Sequence, residues 1–263
     1  MARLNLFEFN DRPWCPRFVR ESVVEALGRS LRWGRVYQAA VPLFDRFCRR
    51  TKTRVILELA SGSGESTAIL IDAMQESSLA VPRFILSDLF PNHQAFKALG
   101  RRYPETISTV HEPLDARAVP VELEYDAVAV ISSFHHFPPD QAASILAACV
   151  KKRTPLFIME PFQRNLISFA PLFFLGLPAY LINPFVAGRH RLVKLFFTYV
   201  LPILPFIGLW DGMVSMGRMY DRDELLALAE RVPAEYCWEY HVVPYSLLGR
   251  VTVFIGCPSG DGD

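Results

Sequence analysis

The chain has 263 residues, 51% of them hydrophobic and 21% charged, which suits one α/β domain with insertions or two small domains and leaves no room for global disorder. A formal net charge of +1 offers no basic surface to answer phosphates, so no nucleic-acid partner is expected. The five cysteines, Cys15, Cys48, Cys149, Cys237 and Cys257, stand singly without zinc-type spacing, so they read as free thiols of a reducing compartment and no metal site is expected.

The first residues, MARLNLFEFNDRPWCP, carry acids where a secretory leader needs an apolar run, which points to a cytoplasmic protein. Residues 16–47 are predicted helical, with Phe18, Val19, Val23, Val24 and Leu27 at helical spacing and a second stretch near Tyr37–Cys48. The arginines there read as a solvated face. From Arg54 short apolar runs alternate with helices. Strands are expected at Val55–Leu59, Phe84–Leu86, Ile107–His111, Asp126–Ser132 and Pro155–Met159, and helices at Glu65–Glu76, His93–Arg102 and Gln141–Lys152. The near-continuous apolar character of Asp126–Ser132 is that of a strand covered on both faces. After an insertion, Asp221–Arg231 reads as a helix with Asp221 as N-cap and Glu224 completing a capping box. Tyr236–Val243 and Arg250–Cys257 are joined by a loop too short for a crossover helix, so they pair antiparallel. The tail Ser259–Asp263 is expected to fray.

The fold class predicted is therefore α/β: a doubly wound, mostly parallel, seven-stranded sheet with a C-terminal antiparallel hairpin, N-terminal helices and an apolar helical insertion. The divisions are residues 1–53 as a helical cap, 54–162 as the ligand-binding core, 163–220 as the insertion or lid, and 221–263 as the last part of the core sheet.

The run Val55–Thr67 (VILELASGSGEST) carries a strand into a helix through Glu58, Ala60, Ser61, Gly62 and Gly64. Glycines there allow close backbone approach, and the helix start presents free N–H groups. Asp88, at the end of the second strand, is placed to accept two ribose hydroxyls, and Asp115 follows the third strand on the same edge of the sheet. Together these residues resemble the class I S-adenosylmethionine-dependent methyltransferase family, whose first motif is a strand ending in an acid followed by Gly-x-Gly-x-Gly. Gly62 and Gly64 match the second and third glycines, and Ala60 replaces the first. The resemblance spans roughly Arg54–Glu160 and the final hairpin. It implies that S-adenosylmethionine is the cofactor, with Glu58 near the methionine amino group, Asp88 and Leu89 at the ribose, and Asp115 and Ala116 beside the adenine. The segment Asp126–Phe137 (DAVAVISSFHHF) is similar to the family's fourth motif, which puts Ser133 and Phe134 beside the methionine portion. Pro155–Pro161 is similar to its fifth strand.

A nicotinamide-dependent oxidoreductase is the competing enzyme. Its fingerprint lacks a third glycine here, and Glu65 at the helix start would repel a pyrophosphate, whereas a sulfonium accepts an acidic loop. From a different class comes a membrane-associated binding or scaffold protein with a degenerate nucleotide fold.

Methyl transfer needs a positioned nucleophile in a dry site, and a base only when the acceptor is protonated. His135 and His136 are the candidate bases, of which at most one faces an acceptor. Glu160 is a structural or substrate-orienting candidate. The segment Leu166–Ala187 has no charge, and Leu195–Trp210 is a second apolar run beyond a basic bridge, Gly188–Lys194. The first is long enough to cross a bilayer, but Pro171, Pro178, Pro184, Pro202 and Pro205 argue against two straight spans. A lid or homodimer face, peripheral membrane docking through residues 166–210 at the inner membrane face, and a membrane hairpin stay open, and each implies a small apolar acceptor. Trp210–Tyr220 is expected to return to the site with Arg218 and Tyr220, and Trp14 and Tyr37 to close it from the other side.

Overall fold

A computed structural model of the chain describes residues 3–4, 6–186, 190–232 and 236–260. Gly188 and Arg189 of the basic bridge and residues 261–263 of the tail lie outside these. Among the described residues seven strands form one sheet in the order β3-β2-β1-β4-β5-β7-β6. They are β1 (Val55–Glu58), β2 (Arg83–Leu86), β3 (Ile107–Thr109), β4 (Ala127–Ile131), β5 (Leu156–Glu160), β6 (Tyr236–Pro244) and β7 (Arg250–Pro258). The first five are parallel; β7 runs antiparallel to both β5 and β6. The strand order reverses between β1 and β4, and the loops leaving their carboxyl ends diverge into the crevice where ligands of such sheets bind.

Alternation along β1 builds the two faces. Ile56 faces a core with Phe44, Phe47, Phe84 and Phe157, whereas Leu57 faces a second core with Val128, Ile145, Leu146 and Phe254. The first is covered by α1 (Arg17–Trp33), α2 (Val41–Arg50), α3 (Glu65–Glu76) and α4 (His93–Arg102). The second is covered by α5 (Pro139–Lys151) and by a C-terminal helix (Arg222–Ala229) whose start carries the expected Asp221–Glu224 capping box. Two arginines depart from the solvated face: Arg32 lies 2.9 Å from Glu65 and 2.5 Å from Asp72, tying α1 to α3, and Arg29 donates to Asn183 of the insertion.

The insertion is more helical than its prolines suggest. A short turn, α6 (Phe169–Pro171), a π-helical turn over Leu172–Gly176, and α7 (Leu177–Val186) follow one another without a break. Then come α8 (Arg191–Leu195), a second π turn over Phe196–Val200, and α9 (Ile203–Arg218), followed by the capped α10 (Arg222–Ala229). The π turns stand just before Pro178 and Pro202. Proline lacks the N–H that would continue the ladder. Before Pro178 the wider turn absorbs the defect and the helix runs on; at Pro202 the helix ends, with Leu201 extended and the two stretches bent by 74°. Tyr180, Leu204 and Ile207 of the insertion pack on Val19, Val23 and Ala26 of α1. The approach is close: a Cβ on Gly208 would stand 2.0 Å from the Tyr180 ring.

Candidate active site

The loop after β1 is shaped by left-handed backbone at Ala60 (φ 53°), Gly62 (φ 57°) and Gly64 (φ 73°). Ala60 thus takes the turn that the missing glycine would have taken, at a cost of about 1–2 kcal/mol for an L residue. At Gly64 a side chain would meet Leu99 at 2.5 Å and Leu86 at 2.7 Å, so glycine is required sterically as well. Hydrogen bonds lock this loop to the ends of β1 and β2. The Ser61 N–H donates to the Ser87 carbonyl (2.9 Å), the Ser87 N–H to the Ser61 hydroxyl (3.1 Å), and both hydroxyls donate to the Glu58 carbonyl. Asp88 consequently sits against the loop and accepts from the Gly62 N–H at 2.7 Å and the Phe90 N–H at 2.8 Å. Leu89 beside it is half-exposed. The Leu114 N–H donates to the Asp88 carbonyl, which brings Asp115 and Ala116 alongside. Asp115 turns onto Arg117 at 2.5 Å, a hydrogen bond that holds its carboxyl at about 2, and Ala116 is buried.

Glu58 is fully buried. One oxygen accepts from the Thr67 hydroxyl of α3, while Oε1 has no protein partner. Burial, with the charge of Asp88 added, pushes its carboxyl up to about 8. The Ser133 hydroxyl, at the end of the neighbouring β4, is also buried without a partner. Orphaned acceptors of this kind are costly and fit a ligand that brings positively charged N–H donors.

Beyond β4, Ser132 takes φ 58° and shares a short hydrogen bond with the hydroxyl of fully buried Tyr37, which also donates to Ser66 at 3.3 Å. Tyr37 thus closes the underside of the crevice. Trp14 is 64% exposed and packs edge-on to Phe9, so the two aromatics are not brought together. Phe134 points into the core against Tyr220, with ring centroids 5.6 Å apart. His135 points the other way. Its backbone N–H donates to Glu160 Oε1 at 2.9 Å, and its Nδ1 lies 3.0 Å from Glu160 Oε2. Glu160 ends β5, the strand beside β4, so strand pairing sets this contact. Both side chains are buried, and His135 Nε2 has no protein partner.

The space beside His135 is closed by residues 6–11 laid along α9. The Trp210 indole N–H donates to the Phe7 carbonyl, and Asp211 accepts from the N–H groups of Phe9 and Asn10. Glu8, buried, accepts from Ser215 at 3.0 Å and from Arg218 at 3.1 Å. Burial raises the Glu8 carboxyl to about 7 against the opposing pull of His136 and Arg218, and Asp11 adds to the rise. Burial would raise Asp11 too, but hydrogen bonds and charge from His136 and Arg218 outweigh it and hold that carboxyl at about 2. Glu8, His135 and His136 each present one ligand-type atom within 4.8 Å of the others. Arg218 already reaches Glu8, Asp11 (3.0 Å) and His136 (3.3 Å), so a cation of the protein's own occupies this neighbourhood. Tyr220 donates to the Phe137 carbonyl at 2.6 Å, and Arg3 lies 4.4 Å over its ring while donating to the His135 carbonyl. A cleft of about 620 Å³ flanks this network, lined by Arg3, His136, Pro139, Arg218, Tyr220 and Glu224.

Sequence reasoning missed Glu8 and Asp11. Their one signal was the presence of acids near the start of the chain, with nothing to show that Arg218, 210 positions from Glu8, would meet them.

No family model and no curated protein matches the chain. Solved structures do resemble it. A protein assigned as an O-methyltransferase from Nostoc punctiforme aligns with a TM-score of 0.52 and 12% identity over 97% of this chain and 64% of that one. The protein TnmH aligns at 0.50 with 16% identity over 90% of this chain and 58% of that one. The plantazolicin methyltransferase BpumL, solved with S-adenosylhomocysteine, aligns at 0.49 with 10% identity over 92% and 99%. The chain spans about three-fifths of the first two. The fold is thereby that of class I S-adenosylmethionine-dependent methyltransferases: a parallel core sheet closed by a C-terminal antiparallel hairpin.

Proposed function

We propose that the chain is an S-adenosylmethionine-dependent methyltransferase whose acceptor is a small, largely apolar molecule methylated at an ionisable hydroxyl. The observation that carries this reading is a juxtaposition. The Glu58–Asp88 cradle lies at the ends of β1 and β2, and the His135–Glu160 pair at the ends of β4 and β5, so both lie along the same carboxyl edge of the sheet. Glu58 Oε1 and Ser133 Oγ would hold the methionine end of the donor, and Asp88 its ribose. S-adenosylmethionine, when bound, supplies an electrophilic methyl group on a sulfonium centre.

The remaining work falls to the chain. Glu160 accepts the Nδ1 proton of His135, which leaves Nε2 as the unprotonated, basic nitrogen. That nitrogen can take the proton of an acceptor hydroxyl, and Glu160 then stabilises the imidazolium. Burial of the pair keeps water away and strengthens both interactions. Directly after Glu160, Phe162 joins Leu172, Met216 and Met219 in an apolar cluster, which favours an apolar acceptor body. The Nostoc relative's assignment as an O-methyltransferase is consistent with hydroxyl methylation. The test is formation of S-adenosylhomocysteine with a panel of apolar phenols and alcohols. Turnover with the wild type, lost in His135→Ala, supports the reading; equal turnover in the variant removes the base.

A further inference from the structure

The insertion presents an outer surface opposite in character to that of a soluble helix pair. Along the π turn and α7, Phe174, Ile182 and Phe185 are exposed at helical spacing, whereas Gly176, Ala179, Tyr180 and Asn183 on the opposite stripe are buried. The following segment repeats the arrangement: Leu192, Phe196 and Val200 are exposed, and Lys194 and Thr198 are buried. An outward helix face is normally polar. Here the exposed stripes meet through Phe185 and Tyr199, whose rings are 5.9 Å apart. At the far end Phe206, 60% exposed, continues through Phe9 to Trp14. A connected apolar surface of this kind marks an interaction site.

The charges of the segment indicate the occupant. Between Pro161 and Trp210 there is no aspartate or glutamate, while Arg164, Arg189, Arg191 and Lys194 are cationic; Arg164 is taken up by Asp221 and Glu224. Lys194 turns inward to Glu25 at 2.6 Å; Arg191 stays exposed beside Leu192. A second copy of the chain would bring the same exposed Arg191, with no carboxylate in the segment to answer it. An anionic bilayer answers both features, taking aromatic and aliphatic side chains at its interface and basic groups at its phosphates.

The way the insertion is held selects between lying on the bilayer and crossing it. Leu166–Val186 is long and apolar enough to cross, but 39% of its most apolar window is buried inside the protein, and the next two helical stretches meet at 74°. Asn183 accepts from Arg29 at 3.2 Å and donates to the Ser22 carbonyl, and the Lys194–Glu25 pair is its neighbour on α1. Spanning would carry these groups into hydrocarbon or strip them of their partners. We infer that residues 166–186 and 190–206, with Trp14 at the edge, form a one-sided docking face for an anionic lipid bilayer, seated in the interface without crossing it. This inference stands whether or not the chain transfers methyl groups.

The test uses the full-length protein and vesicles of phosphatidylcholine alone or of equal parts phosphatidylcholine and phosphatidylglycerol. The expected result is sedimentation with the anionic vesicles, a blue shift of Trp14 fluorescence, and release by alkaline carbonate. Phe174→Ser combined with Phe206→Ser, both at exposed positions, should weaken partitioning at least about tenfold with the melting temperature kept. Arg191→Glu should weaken it roughly fivefold or more and flatten its salt dependence. Wild-type protein left in the supernatant overturns the inference, and so does a stable dimer whose formation is abolished by the two serines. Retention after carbonate extraction would show a spanning segment and overturn it as well.

Discussion

Glu160 grips His135 at two points, the backbone N–H at 2.9 Å and the ring Nδ1 at 3.0 Å, and so fixes the place of an imidazole whose Nε2 is buried without a protein partner. If that nitrogen is the base, His135→Ala should lower turnover by about 10²–10⁴-fold with donor affinity unchanged. Glu160→Ala should lower turnover and also destabilise the fold by about 1–3 kcal/mol, because it leaves buried donors on His135 unpaired. Steady-state kinetics beside a donor titration checks both; a fall in donor affinity equal to the fall in turnover would reassign the pair to binding.

Glu58 gives the unliganded protein a pH dependence of definite sign. Its carboxyl sits at about 8 when folded against an ordinary value of 4.5, so folding favours the protonated form. The stabilisation is fully present below about pH 4.5 and is lost as pH rises through about 8, a change on the order of 5 kcal/mol. Glu8, raised to about 7 by burial, adds a smaller contribution of the same sign. The melting temperature should fall across this window, and Glu58→Gln should remove most of the fall. A cationic ligand favours the ionised carboxylate, so donor binding near neutral pH should release a proton. Calorimetry in two buffers of different ionisation enthalpy reads that proton directly.

The parts of this site legible in the sequence are those made by neighbours along the chain. Val55–Thr67 announced a strand, turn and helix because apolar period, small residues and a helix start succeed one another. Asp88 and Asp115 were placed by the ends of predicted strands, and the final hairpin by the length of its loop. The illegible parts depend on distant pairing or on side-chain direction. Glu8 has meaning only once α9 returns Arg218 and Ser215 beside it. Phe134 and His135 are adjacent in sequence, yet one packs on Tyr220 in the core and the other turns to Glu160, because a tight helical turn after β4 sends them apart. The prolines of the insertion suggest breaks: one is present at Pro202, whereas a π turn carries the helix past Pro178, a local geometry that composition does not report.

Ala60 holds a left-handed conformation at φ 53° that glycine adopts without strain. Ala60→Gly relieves about 1–2 kcal/mol of strain and gives back about 0.5–1 kcal/mol through unfolded-chain entropy. A net gain of about 0.5–1 kcal/mol and a melting temperature higher by about 1–3 °C are expected. Thermal unfolding measures it, and a loss of stability would mean that the alanine methyl makes a packing contribution larger than the strain.

Arg218 is the shared partner of Glu8, Asp11 and His136. Arg218→Met should cost about 3 kcal/mol, since Glu8 is left buried without its cationic partner, holding only the Ser215 hydroxyl. Adding Glu8→Gln should recover a large part of the loss, the non-additivity expected of a contacting pair. Hydrogen exchange over residues 6–11 should quicken in the single variant and slow again in the double. Unchanged exchange in both would show that Phe7, Phe9 and Trp210, and not this ion pair, hold the segment down.

The cradle itself is tested most directly by calorimetric titration of the unliganded protein with S-adenosylmethionine. The account predicts one saturable site, at least about tenfold weaker binding in Asp88→Ala through loss of a charge-assisted hydrogen bond, and unchanged binding in His135→Ala. No binding by the wild-type protein, or equal affinity in Asp88→Ala, would contradict it.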